Sequence, residues 1–201
     1  MVFSSHVFVF YFLPITLLIY YLLVASKINI SYVNLFVTIA SYGFYGWFQP
    51  WFIILMWTTS FINYVCGRII SKPGASPKSR NTALVLSIVI SLGFLAFFKY
   101  YMFCMDGINK LAELFGAGSN FFHIMSVTLP IGISFYTFQA LSYTVDVWRG
   151  DAPPVKDMKT FSCFVALFPQ LIAGPIIRYN TVAEQLQHRT HTLAKMSSGI
   201  A

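Results

Sequence analysis

The strongest constraint on the fold is the length of the stretches that carry no charged side chain. Residues 1–26 and residues 28–67 contain no Lys, Arg, Asp or Glu, and only Lys27 separates them. A transmembrane helix needs about 20 predominantly apolar residues, so these stretches are long enough for several crossings. Charged residues make up only 9% of the chain, whereas soluble domains carry about 25%. The chain is therefore predicted to be an all-α, polytopic integral membrane helix bundle.

The net charge of +7 is interpreted as a topology signal and not as a nucleic-acid site. The basic residues lie between the apolar runs, and no nucleic-acid-binding module with interleaved aromatic residues accompanies them. Loops rich in Lys and Arg stay in the cytoplasm. The stretch Gly67–Asn81 has four basic residues and no acid, so it is predicted to be cytoplasmic and the amino terminus outside. The chain is predicted to be surrounded by membrane lipid and to bind no nucleic acid.

The apolar runs predict about five membrane spans plus a re-entrant segment after them. Residues 105–126 are expected outside or in the outer interface, and the loop after residue 148 is expected inside. The spans are placed at about Val7–Ala25, Ser31–Phe48, Trp51–Cys66, Thr82–Phe98 and Val127–Trp148.

The stretch LFPQLIAGPIIRY, residues 167–179, predicts broken backbone at membrane depth. Pro169 lacks an amide hydrogen, and Pro175 disfavours helical geometry at Gly174. A full crossing would also carry Arg178 outside, against the charge rule. Irregular backbone is tolerated in the membrane only inside protein or along a cavity, so a re-entrant segment that turns at Gly174 and Pro175 is predicted. A kinked but spanning helix is the alternative.

Four polar side chains fall on one stripe of the fifth span at 100° per residue. They are Gln139, Ser142, Asp146 and Arg149. Polar groups in a span usually face the bundle interior or a wet cavity, which makes these residues candidates for lining a substrate tunnel. The alternative is structural, with hydrogen bonds between helices and an Asp146–Arg149 ion pair. Arg178 likewise has two interpretations. It is either an interfacial anchor or a group that faces an anionic donor.

No catalytic or metal motif stands out in the residue spacing. There is no G-x-S-x-G, P-loop or H-E-x-x-H pattern. His188 and His191 lie three apart, but no further pair of ligands nearby completes a metal site. No bound cofactor and no metal ligand is predicted.

Two long motifs carry a family resemblance: LPIGISFYTFQALSYTVDVWRG at Leu129–Gly150 and FPQLIAGPIIRY at Phe168–Tyr179. Together they resemble the membrane-bound O-acyltransferase (MBOAT) family, and within it the alginate O-acetyltransferase branch. The opening MVFSS and the pieces ASYGFYGW at Ala40–Trp47 and FFKYY at Phe97–Tyr101 are similar to that branch as well.

The resemblance implies a ring of helices around a thin centre pierced by a tunnel, in the bacterial cytoplasmic (inner) membrane. It also implies acyl transfer from a thioester to a hydroxyl. For the alginate branch the donor substrate would be acetyl-CoA or an acyl carrier, and the partners would be periplasmic acetyltransferases of an exopolysaccharide O-acetylation system. The residues at matching motif positions are Gln139, Pro169, Gln170, Gly174, Pro175 and Arg178.

The signature histidine of the family has no counterpart among these motifs. In the family it lies well downstream of FPQLIAGPIIRY, where a neutral imidazole can take the proton of the acceptor hydroxyl. The resemblance therefore implies that this histidine lies beyond Ala201, the last residue of the sequence. It further implies that residues 1–201 are the amino-terminal part of a single MBOAT domain with an incomplete fold, that none of them is the catalytic base, and that the piece alone is inactive.

Three other interpretations stay open at the level of sequence. A sister branch of the family passes D-alanine to teichoic acids from a carrier protein. A transporter also contains broken helices near the membrane midplane, although no inverted repeat is visible. A non-catalytic scaffold that recruits periplasmic partners is the third.

Overall fold

The computed structural model describes residues 5–47, 49–114, 128–171, 174 and 177–187, and every regular element in these ranges is a helix. A π-helical segment, Phe8–Phe12, leads directly into the first α-helix. The α-helices are, in chain order, α1 (Leu13–Ala25), α2 (Ile30–Gly46), α3 (Trp51–Ile70), α4 (Pro77–Leu114), α5 (Ile133–Arg149), α6 (Met158–Ala166), α7 (Phe168–Leu171) and α8 (Tyr179–Gln187). The prediction of an all-α fold is confirmed.

Three of these helical stretches are long and apolar enough to cross a membrane. They are Phe8–Ala25, Trp51–Ile70 and Pro77–Leu114. Helices α2 and α5 have 17 residues each, slightly short of the about 20 residues that a straight crossing needs. The membrane-bundle class is therefore confirmed, and the count of five spans stays a prediction.

Helix α4 is much longer than the predicted fourth span, Thr82–Phe98. It has 38 residues, which corresponds to about 57 Å at 1.5 Å per residue, against about 30 Å for the hydrocarbon core. The residues after Lys99 lie beyond the predicted span but within the helix. They continue it, because a helix can leave the membrane without unwinding and an i,i+4 ion pair between Asp106 and Lys110 (2.7 Å) supports this end.

Helix α5 begins later than the predicted fifth span, which started at Val127. Residues 128–132, the described residues directly before Ile133, are not helical. Pro130 and Gly132 lie in this stretch, and Gly132 adopts a left-handed conformation with φ 75°. Gly150, with φ 83°, ends the helix in the same conformation, as glycine commonly does after a helix.

Helices α3, α4 and α5 pack against one another around a buried polar centre at Asn63. The Asn63 amide nitrogen donates to the Thr59 carbonyl and to Ser91 Oγ, each at 2.9 Å. The amide oxygen accepts from Ser87 Oγ at 2.7 Å and from Thr144 Oγ1 at 2.9 Å. All four hydrogen bonds that an amide can make are thus formed, which removes the cost of burying it.

Helices α6 and α8 pack on α2 and α5, and aromatic rings fill the space between them. The Tyr143 ring of α5 lies 4.6 Å from the Phe161 ring and 5.0 Å from the Tyr179 ring. The Phe164 ring lies 5.4 Å from that of Tyr179. These centroid distances are those of favourable aromatic pairs. The second half of the chain is thereby held against the first.

Candidate functional site

The helical path breaks between α6 and α7, inside the stretch for which broken backbone was predicted. Leu167 leaves the helical region, with φ −54° and ψ 110°, two residues before Pro169. Proline cannot donate the amide hydrogen that would bond the Val165 carbonyl in a continuous helix. The interruption is therefore observed. Pro175 lies outside the described residues, so re-entry and a turn at Gly174–Pro175 stay predictions.

Two side chains from other helices receive the backbone groups that the break leaves unpaired. In a continuous helix, the Phe168 N–H would donate to the Phe164 carbonyl. Instead, Phe168 N donates to Ser41 Oγ of α2 at 3.2 Å. The Phe164 carbonyl accepts from Gln139 Nε2 of α5 at 2.6 Å. Gln139 and Ser41, both almost fully buried, thereby hold the ends of the interrupted helix.

Gln170 lies on the other side of Gln139 in the same cluster. Gln139 Nε2 also contacts Gln170 Oε1 at 3.3 Å. The backbone then bends, and Gly174 N donates to the Gln170 carbonyl at 3.2 Å. A Cβ at Gly174 would lie 2.5 Å from Gln170 Cα, so only glycine fits this bend. The structure thus brings together three of the predicted tunnel residues, Gln139, Gln170 and Gly174.

The loop before α5 approaches α7 at backbone distance. A Cβ at Gly132 would lie 2.5 Å from the Leu171 carbonyl oxygen, and the φ of 75° at Gly132 is one that other residues rarely adopt. Leu171 is completely buried. Phe168 and Leu171 of the broken segment are packed inside protein, the condition under which irregular backbone is tolerated in a membrane, whereas Pro169 is exposed.

Two buried hydroxyls on the helices around the break, those of Thr137 and Tyr179, make no hydrogen bond within the part of the chain that the structure describes. An unpaired buried hydroxyl costs about 1–3 kcal/mol, so these groups call for a partner such as water, a ligand or another segment. Burial raises the pKa of the Tyr179 phenol above its ordinary value. The buried hydroxyls of Tyr45 and Tyr136 interact with each other, and that of Tyr42 interacts with Ser162.

The other predicted residues lie outside this cluster. Ser142 Oγ donates to the Gln139 carbonyl of its own helix at 2.8 Å. Asp146 lies about 10 Å further along α5, at 1.5 Å per residue. It is buried, and its Oδ2 has no partner among the described residues. Arg149 and Arg178 are exposed, and no ion pair joins either of them to a described carboxylate.

Two residues that hold the site were not among the predicted candidates. Ser41 lies in ASYGFYGW, where a small polar residue in an apolar run was a signal of a buried hydrogen bond. Gly132 follows Pro130 in LPIG, and such a pair marks a turn. Neither signal indicates which distant segment the residue contacts.

The structure offers no grouping of metal ligands in the described ranges. No cluster of three or more His, Cys, Asp or Glu side chains occurs there. His188 and His191 lie outside these ranges. The only chemistry that the described cluster offers is hydrogen bonding by amides and hydroxyls in an apolar surrounding.

The expected position of the signature histidine, beyond Ala201, also falls outside the structure. Ala201 itself is not among the described residues, which end at Gln187. The expectation that the catalytic base lies further along the chain therefore stays a prediction.

Comparison with known proteins gives strong matches along nearly the whole chain. The chain is 42% identical over 199 residues to the probable alginate O-acetylase AlgI of Pseudomonas aeruginosa and 43% identical to that of Azotobacter vinelandii, with 99% of the chain covered in each case. It is 26% identical over 215 residues to the peptidoglycan O-acetyltransferase of Helicobacter pylori. No protein-family model and no solved structure matches the chain.

The matched proteins are much longer than this chain. It spans 37% of the Pseudomonas aeruginosa protein, 38% of the Azotobacter vinelandii protein and 40% of the Helicobacter pylori protein. The resemblance to the alginate branch, predicted from the two long motifs, is nevertheless confirmed: over the length that it shares with them, this chain is a homologue of the alginate O-acetylases.

Proposed function

We propose that this chain forms part of a membrane O-acetyltransferase that serves the O-acetylation of an alginate-type exopolysaccharide in the bacterial inner membrane. The observation that carries the proposal is the 42% identity to an alginate O-acetylase over 99% of the chain. The donor is a thioester, acetyl-CoA or an acyl carrier, and the partners are periplasmic acetyltransferases. The weaker match to a peptidoglycan O-acetyltransferase, at 26% identity, makes that polymer the second candidate acceptor.

The geometry supports a role of the α6–α7 break in lining the acyl-donor tunnel. Gln139 from α5 and Ser41 from α2 hold an interrupted helix that a purely structural span would not need. The buried hydroxyl of Thr137 on α5 has no hydrogen-bond partner among the described residues. A tunnel that accepts a polar thioester headgroup needs hydrogen-bonding groups in an otherwise apolar wall.

The proposed reaction needs a base that the described residues do not supply. The oxygen of the acceptor hydroxyl attacks the thioester carbonyl carbon, the C–S bond breaks, and the hydroxyl proton passes to a base and then to the leaving thiolate. A neutral imidazole suits this step near pH 7. His6 is the histidine among the described residues, and it is exposed. We place the base in a part of the relatives that this chain does not cover.

The substitution Gln139→Leu tests the proposal in the intact protein as its host makes it. Leucine keeps the volume and removes the donor to the Phe164 carbonyl, so the tunnel wall shifts. We expect acetyl ester on the secreted polysaccharide to fall about tenfold or more, because misplacements of about 1 Å cost up to 10²-fold in rate. The substitution Thr58→Ala is the matched control, since the Thr58 hydroxyl bonds only its own helix at Ile54 (2.7 Å).

Membrane levels and thermal unfolding of both variants are measured alongside acetylation, on alginate and on peptidoglycan. Unchanged acetylation in the Gln139→Leu protein would show that the α6–α7 break does not line the tunnel. Loss of acetyl ester from peptidoglycan alone would move the acceptor to that polymer.

A further inference from the structure

A groove of about 640 Å³ lies where the carboxyl end of α3 meets the loop between α5 and α6. None of its lining residues belongs to the α6–α7 break, and nothing in the proposed reaction uses it. Its lining combines two cations with apolar side chains, namely Arg68, Lys72, Val65, Ile69 and Pro154. We propose that this groove, called the α3 groove below, binds the headgroup phosphate of an anionic phospholipid.

Within the described residues, no carboxylate forms an ion pair with either cation of the α3 groove. The ion pair that the structure records within the described ranges is Asp106–Lys110, at the far end of α4. Arg68 makes one long hydrogen bond, from Nη1 to the Lys156 carbonyl at 3.4 Å. Both Arg68 and Lys72 are exposed. Their charges are therefore available to an anion.

The spacing of the cations suits one phosphate. Arg68 lies in the last turn of α3 and Lys72 lies two residues past the end of the helix at Ile70, so both cations are at the same end of α3. Both side chains are long and flexible and can reach up to the headgroup level. Ser71, one of the lining residues, adds a hydroxyl at the same level.

An apolar row runs from the cations toward the middle of α3. Trp57, Phe61, Val65 and Ile69 follow at four-residue spacing, which places them along one ridge of the helix. Trp57 and Phe61 are stacked at 5.2 Å, and they are 45% and 44% exposed. A soluble phosphate compound has no apolar chain to pack against this row, whereas the acyl chain of a phospholipid lies along it. The row therefore favours a lipid over a free phosphate.

The surrounding charge has the sign that anionic lipids attract. The loop Gly67–Asn81 contains four basic residues and no acid, and clusters of this size beside a membrane helix bind anionic headgroups. A second groove, of about 600 Å³, repeats the arrangement on α4, with Lys78 above Val85 and Val89. Neither groove depends on the identity of the acyl donor, so this proposal stands apart from the acetyltransferase function.

Native mass spectrometry of the intact protein in detergent micelles tests the proposal. Phosphatidylglycerol and phosphatidylcholine are titrated in separate arms, and inorganic phosphate and coenzyme A in two more. We expect phosphatidylglycerol to bind about tenfold or more tightly than phosphatidylcholine. The double variant Arg68→Gln/Lys72→Gln should bind phosphatidylglycerol about 30-fold more weakly, because each cation near the surface contributes on the order of a fivefold factor.

The double variant Lys99→Gln/Lys110→Gln is the matched control, since it removes the same number of positive charges from exposed positions on α4, outside the α3 groove. Its phosphatidylglycerol affinity should stay within about twofold of the unmodified protein. The single variant Lys72→Gln, with an expected loss of about fivefold, decides the question if the double variant does not fold. Equal binding of both lipids, or unchanged affinity after loss of the cations, overturns the proposal. Displacement of the lipid by coenzyme A or inorganic phosphate assigns the α3 groove to a soluble phosphate compound and also overturns it.

Discussion

Asn63 shows how one buried amide orders three helices. A lipid-facing amide would be costly, but this one is buried and meets Ser87 and Ser91 of α4 and Thr144 of α5. Without water as a competitor, such a network stabilises one arrangement of the helices over others. Asn63 therefore acts on packing and register, and it lies apart from the candidate site.

The substitution Asn63→Leu should lower the stability of the bundle. Leucine is similar in volume but leaves the Thr144 hydroxyl buried without its partner, and a buried unsatisfied polar group costs about 1–3 kcal/mol. Thermal unfolding in detergent, followed by circular dichroism, measures the effect as a lower midpoint. The control is Asn180→Ala on the exposed side of α8, which should unfold at the original midpoint. If both variants unfold at the same temperature, the network contributes nothing to stability.

At the scale of secondary structure, the α6–α7 break depends on partners from other helices. Its free amide goes to Ser41 and its free carbonyl to Gln139. The same segment also leaves no space between Leu171 and Gly132. The broken segment is therefore held at both ends by hydrogen bonds and against a glycine by close packing.

The substitution Gly132→Ala should disturb this packing. Alanine at a φ of 75° costs about 1–2 kcal/mol by itself, and its methyl group would collide with the Leu171 carbonyl. We expect a loss of stability of about 2 kcal/mol or more, together with loss of acetylation in the intact protein. Thermal unfolding in detergent and the acetyl ester content of the polysaccharide measure the two effects.

Gly93→Ala on α4 provides the control, because no atom beyond the helix's own nearby backbone lies within 4 Å of a Cβ there. Alanine in the middle of a helix is favoured over glycine by about 0.5–1 kcal/mol, so this variant should be slightly more stable. A Gly132→Ala protein as stable as the Gly93→Ala protein would show that the close approach to Leu171 is not required.

The charge distribution predicts the orientation of the whole molecule in the membrane. The loop Gly67–Asn81 is basic. In the described ranges, no helix of transmembrane length lies between the broken segment and Arg178. If the loop is cytoplasmic and the broken segment is re-entrant, residues after 178 return to the same side. A spanning segment would put them on the opposite side.

Cysteine labelling of intact cells distinguishes these two topologies. Ser79→Cys and Thr181→Cys are introduced separately at exposed positions in a protein whose exposed Cys104 is replaced by serine. An impermeant maleimide should label neither position from outside, and both should react after the membrane is permeabilised. Labelling of Thr181→Cys alone from outside would show that the segment spans the membrane.

The class of the protein was decided by sequence alone, for a physical reason. Long stretches without charge have no stable place in water, and in lipid a backbone must satisfy its hydrogen bonds internally, which leaves helices. Pro169 likewise forced a break near α7 wherever the segment was placed, because a missing amide hydrogen is a local property. The two long motifs, moreover, identified the relatives correctly.

Only the tertiary structure decided which side chains form hydrogen bonds with the backbone groups that the break leaves unpaired. Nothing in the sequence connects Ser41 with Phe168 or Gln139 with Phe164, since each pair is distant along the chain and any polar residue in a span needs some partner. The end of α4 at Leu114 also escaped prediction, because a change from apolar to polar residues marks the membrane surface and not the end of a helix. Hydrophobicity acts on every side chain separately, whereas hydrogen bonds and close packing depend on which surfaces meet, and that is settled only when the helices pack.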